Sequence, residues 1–188
     1  ATLAQSMGGD TSFGSGSFGG SGAAAVGGMG MGSGAGVQVG VGPRSGERGY
    51  GAVNGPILVG THEVTVAQFR QFVEDSKYVT EAERSENGKP AKPHSWRKPE
   101  IEQDSDQHPV VHVSFEDALA FCHWLSLKEK KTYRLLTRRE WEFCARAGSW
   151  LPATLGPGKL AYRSQFFTTT AAVGSYAANS FGLHDFIG

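Results

Sequence analysis

The chain has 188 residues, with 18 basic and 18 acidic side chains and no formal net charge. It carries no basic stripe, so nothing in its electrostatics points to nucleic acid as a partner. No apolar run approaches the ~20 residues that span a bilayer, so no membrane partner is expected.

Glycine decides how much of the chain can build a core. Of the 27 glycines, 20 fall in the first 60 residues, and Gly8 to Gly42 holds one charged residue, Asp10. Such a segment has little apolar surface to offset its ordering entropy, so residues 1–55 are read as a disordered leader or linker. Ala1 to Met7 lacks the basic end and apolar centre of a secretory signal. The start at Ala rather than Met suggests a fragment or a processed form. Within the leader, Gly14 to Gly19 (GSGSFG) matches the glycine-rich phosphate loop of kinases letter for letter. No lysine-bearing strand follows it, so low complexity is the preferred reading. About 130 residues, 56–188, remain for one domain.

Folding signals begin at Pro56. Ile57-Leu58-Val59 reads as a short strand turned by Gly60. Thr65 with Gln68 forms a capping box, and Val66, Phe69, Phe72 and Val73 share one face of a helix ending near Ser76. From Tyr78 to Gln107, Pro90, Pro93 and Pro99 exclude regular structure, and an ordered loop is expected to pin Trp96 onto the domain.

Pro109 to Val113 reads as an extended, β-branched run. Ser114 is a second N-cap, with Asp117 in the first turn. Phe115, Ala118, Leu119, Cys122 and Leu125 are assigned to the buried face of a helix reaching about Lys130. Tyr133 to Leu136 links to a third cap, Thr137 with Glu140. Trp141, Cys144 and Ala145 are assigned to the inner face of a short helix stopped by Gly148. Ser149 to Thr170 reads as irregular, Val173–Tyr176 and Phe181–Leu183 as packed loop or short strand, and Gly188 as an end without a closing element. Two short amphipathic helices, few long strands and much ordered loop indicate an α+β fold whose irregular regions are held by aromatics.

The order of these pieces resembles one family. The words are Glu63-Val64-Thr65 with Gln68-Phe69; Ser95-Trp96-Arg97-Lys98-Pro99; His108 to Ser114 (HPVVHVS); Ala118 to Ser126 (ALAFCHWLS); Tyr133 to Gly148 (YRLLTRREWEFCARAG); Val173-Gly174-Ser175; and Asn179 to Asp185 (NSFGLHD). They resemble the formylglycine-generating enzyme, or sulfatase-modifying factor, family over roughly Ile57 to Gly188. The resemblance implies a loop-rich variant of the C-type lectin fold, here incomplete at the C-terminus. It implies a copper-dependent oxidation, using O2, of a cysteine in a sulfatase or other protein substrate. Cu(I), and also Ca2+, are the cofactors it implies for the intact domain.

The same resemblance places the copper-binding cysteine pair beyond Gly188, so no catalytic, cofactor-binding or metal residue is assigned in this chain and no cofactor is expected for it alone. Cys122 and Cys144 lie on apolar helix faces and are read as core residues, ahead of a mutual disulfide or a metal site. Calcium ligands are expected before Val173, yet no Asp or Glu lies between Glu142 and Asp185. Leu136 stands where the family has Pro before the Thr cap. His108 and His112 are four apart in an extended segment and so do not form a helical metal pair, even with His94 nearby. Trp96, Trp124 and Trp141 are read as core in preference to a ligand groove. Three functional readings follow: part of an oxidase, inactive by itself; a non-catalytic lectin-like binding or display module carried on a glycine-rich linker; and a product with uncovered apolar helix faces and poor stability.

Overall fold

A computed structural model describes residues 57–84, 92–147 and 169–186 in full, together with the backbone of three strands nearer the N-terminus. The elements in chain order are β1 (Leu3–Ser6), β2 (Ala24–Gly28), β3 (Ala35–Val39), β4 (Ile57–Gly60), α1 (Val66–Ser76), α2 (Phe115–Glu129), β5 (Thr132–Leu135) and α3 (Arg138–Ala145). The fold is α+β. One antiparallel sheet runs in the order β2-β3-β4-β1-β5. Two expectations differ here. Residues 1–55 are expected to be disordered by composition, whereas Leu3–Ser6, Ala24–Gly28 and Ala35–Val39 are strands. A ladder needs only backbone groups, and these segments carry Leu3, Val26, Val37 and Val39 in place of Gly-Ser pairs. Tyr133 to Leu135, read as a link, is strand β5 paired with β1.

Each helix starts where a local signal dictates. The side chains of Thr65, Ser114 and Thr137 accept from the backbone N–H groups of Gln68, Asp117 and Glu140, and all three capping boxes are reciprocal. Helix α1 buries Val66, Phe69, Phe72 and Val73, as its spacing predicts. It ends at Lys77, and α2 ends at Lys130, both in the left-handed region with φ of 56° and 55°.

The phase of α2 departs from expectation. Its buried residues are Asp117, Phe121, Cys122 and Leu125, while Phe115 and Leu119 face outward. The helix is apolar around most of its circumference, so spacing alone does not choose the inner side. Asp117 chooses it: its fully buried carboxylate accepts from Tyr78 Oη (3.0 Å), Glu81 N (3.0 Å) and Ser114 N (2.8 Å). In α3, Cys144 and Ala145 are buried as expected, but Trp141 is exposed and Glu140 takes an inner position. Arg134 donates twice to the Glu140 carboxylate, at 2.6 Å each, which allows this carboxylate to be buried. The expected stop at Gly148 and the irregular stretch to residue 168 lie outside the described residues.

Two hydrophobic clusters result. The first joins α1 and α2 with Trp96, Val110 and Tyr133. Its rings meet edge-on or stacked, Phe69 on Trp96 at 5.3 Å and on Phe121 at 6.0 Å. The second joins Ile57 and Val59 of β4 with Cys144, Ala145, Phe181, Leu183 and Phe186.

Loops are tied to these clusters by side chains. Glu83 accepts from Thr80 N (3.3 Å), Thr80 Oγ1 (2.8 Å), Trp96 Nε1 (3.2 Å) and Arg97 Nε (3.0 Å), which buries Trp96 as expected. The run from Pro109 is tied to the start of α1, with Val110 N donating to Val64 O at 2.9 Å. It is not uniformly extended, because His112 has φ of 56°.

Candidate functional site

A gathering of acid–base groups lies where the β4–α1 connection meets residues 173–186. Asn179 shapes the second of these. Its Oδ1 accepts from Phe181 N (2.9 Å) and Leu183 N (3.2 Å), and its Nδ2 donates to Cys144 O (2.8 Å). The resulting turn drives Phe181 and Leu183 into the second cluster and brings His184 N to Thr61 O at 2.7 Å. Asp185, at φ 57°, then accepts from Gly174 N through Oδ2 at 2.7 Å. Its other oxygen, Oδ1, is buried without a hydrogen-bond partner.

The Asp185 charge is felt at Glu63. Burial pushes the Glu63 carboxyl above the usual range, and the Asp185 charge adds to the shift. His62 and His184 flank the pair, with Nδ1 atoms 2.7 Å from Glu63 O and Tyr176 O. This arrangement can hold or exchange a proton at Glu63. It contains no thiol, and among the described residues no three His, Cys, Asp or Glu side chains gather as a metal ion requires. Sequence reasoning missed the pair, because Glu63 and Asp185 come from opposite ends of the domain and no local spacing relates them.

The residues weighed earlier are dispersed. Cys122 lies in the first cluster and Cys144 in the second, and both are free. Burial pushes the Cys122 thiol up to about 11 and the Cys144 thiol to about 12. Cu(I) is held by soft thiolates, so two protonated thiols in separate apolar clusters do not fit it. The stretch before Val173 in which the resemblance implies calcium ligands falls mostly outside the described residues.

His108 is buried, its Nε2 at 2.6 Å from Asp104 Oδ1 and its Nδ1 at 2.7 Å from Thr170 Oγ1. His94 and His112 stack with ring centroids 5.8 Å apart. The three tryptophans line no common groove. Trp96 and Trp124 pack in the first cluster, while Trp141 stacks on Phe186 of the second at 6.4 Å. The GSGSFG segment lies outside the described residues.

Comparison with known proteins bears on this geometry. Residues 52–188 match the sulfatase-modifying factor enzyme 1-like domain. A formylglycine-generating enzyme of Mus musculus is 30% identical, over 68% of this chain and 45% of that protein. The inactive C-alpha-formylglycine-generating enzyme 2 of Mus musculus is 35% identical, over 50% of this chain and 37% of that protein. The chain thus spans less than half the length of either. In fold it is similar to PvdO from Pseudomonas aeruginosa, with a TM-score of 0.55 and 26% identity over 72% of this chain and 54% of that one. With residues 52–188, over half of the chain, matched to that domain, the chain belongs to the sulfatase-modifying factor, or formylglycine-generating enzyme, family.

Proposed function

We propose that this chain supplies the scaffold of a formylglycine-generating-type protein whose whole form oxidises a cysteine in a sulfatase or other protein substrate, and that these 188 residues carry out no oxidation by themselves. One observation supports the second half above all: Cys122 and Cys144 sit in different hydrophobic clusters, with thiols that burial keeps protonated. Holding Cu(I), and Ca2+, then falls to residues other than this cysteine pair. The test incubates the chain with a cysteine peptide from a sulfatase, Cu(I) and O2, and weighs the peptide by mass spectrometry. Unmodified peptide is expected. An aldehyde product would overturn the reading.

A second reading, a non-catalytic lectin-like module displayed on a glycine-rich linker, is favoured by the likeness to an inactive relative at 35% identity. It predicts saturable binding of a glycan or peptide by this chain, with no chemical change in either. A glycan array and a sulfatase-peptide array that both stay blank would remove it.

A further inference from the structure

The outward face of α2 carries a feature that neither hydrophobic cluster uses. Phe115, Leu119 and Leu127 are 64%, 44% and 68% exposed, and His123 between them is exposed as well. Four-residue steps advance about 40° around a helix, so these four side chains form a ridge about 18 Å long that winds through about 120°. Asp117, Phe121 and Leu125 occupy the opposite side and anchor it, so the stripe is held outward by the packing of the helix. Scattered exposed leucines need no explanation, whereas Phe115, Leu119 and Leu127 lie along one ridge, with His123 between the two leucines.

Charge says what fits it. The stripe begins beside exposed Glu116, in the first turn, and ends beside exposed Lys130, at the C-cap. Among the described residues neither takes part in an ion pair, whereas Lys128 and Lys131 are engaged by Asp75 and Glu129. Both residues fall within the same outward arc as the apolar side chains.

We infer that this face is a self-complementary surface that pairs α2 of one copy antiparallel with α2 of a second copy of the chain. In that pairing Phe115 lies against Leu127 of the second copy, and Leu119 against its His123. At each end Glu116 and Lys130 of the second copy lie about one turn apart along the pair, a gap that their long side chains span, and the two helix dipoles run in opposed directions. A parallel pairing would set Glu116 against Glu116 and Lys130 against Lys130. One helix face covers roughly a few hundred Å2 per copy, below the ~800 Å2 per partner of stable complexes. The dimer is therefore weak and concentration-dependent.

Sedimentation velocity on the full chain, from low micromolar to several hundred micromolar, tests the inference. The weight-average mass should climb from 20.0 kDa toward twice that value. Leu119→Lys should weaken association about tenfold or more. Glu116→Lys and Lys130→Glu should each weaken it about fivefold, and the double reversal should restore it, because each end then carries the swapped pair. All three positions are exposed, and far-ultraviolet circular dichroism of each variant checks that the helix is retained. A monomer at every concentration overturns the inference and leaves the face to a different partner. So does association indifferent to Leu119→Lys, or a double reversal that fails to recover.

Discussion

Tyr78 donates its hydroxyl to the carboxylate of Asp117 at 3.0 Å, joining the loop after α1 to the first turn of α2. The same carboxylate accepts two backbone N–H groups and is wholly buried, so it has no water to turn to when a donor is lost. Asp117→Ala should cost about 2–4 kcal/mol, and Tyr78→Phe about 1 kcal/mol. The two losses should be less than additive, because one bond is common to both. Urea denaturation of the two single variants and the double variant measures the coupling.

Arg134 holds the Glu140 carboxyl down at about 2, with the Thr137 N–H adding to the effect, against an ordinary value of 4.5. A folded-state pKa below the unfolded one gives stability that is present above about 4.5 and lost as pH falls toward about 2. Arg134 is about a third exposed, so solvent screening trims the contribution to about 1–2 kcal/mol at neutral pH. Glu140→Gln should remove it, and should flatten that part of the stability–pH curve measured by urea denaturation.

Glu63 has the opposite sign. Burial raises its carboxyl pKa, so the folded state binds the proton more tightly than the unfolded chain does. Its contribution is favourable below the ordinary carboxylate range and declines as pH rises through the raised value. Glu63→Gln, a neutral side chain of the same shape, should raise the urea midpoint at pH 7 and leave it unchanged at pH 3.

Both cysteines should resist thiol reagents in the native state at pH 8. Cys122 and Cys144 are 3% and 0% exposed, and only the thiolate reacts. Colour release from an aromatic disulfide reagent should proceed at the rate of unfolding, and should become immediate in strong denaturant. Fast release from native protein would contradict the burial.

Lys77 closes α1 at φ 56°, a conformation that glycine adopts without steric cost. Lys77→Gly should stabilise the chain by about 0.5–1 kcal/mol. A thermal melt of the variant measures the gain.

What the sequence made legible was short in range. Thr65 with Gln68, Ser114 with Asp117 and Thr137 with Glu140 mark helix starts because a cap and its partner lie within one turn. Trp96 was placed correctly because a ring of that size is rarely left in water. What escaped was long in range. The rotation of α2 depends on Tyr78 and Glu81 reaching Asp117, which turns Phe115 and Leu119 outward against the local spacing. In α3, likewise, Arg134 draws Glu140 inward and leaves Trp141 exposed. The strand at Leu3 pairs with β4 and β5, the strand at Ala35 with β4, and the strand at Ala24 with β3, and local composition does not encode such pairing. The Glu63–Asp185 pair needs the Asn179 turn before it can form.

The four donors that converge on Glu83 have a consequence of their own. A loop without helix or strand normally orders piecemeal, residue by residue. Here Thr80, Trp96 and Arg97 all depend on one carboxylate, and the indole it holds is also a wall of the first hydrophobic cluster. Loss of Glu83 removes all four bonds at once, so Thr80, Trp96 and Arg97 lose their common anchor together and the edge of the core at Trp96 loosens with them.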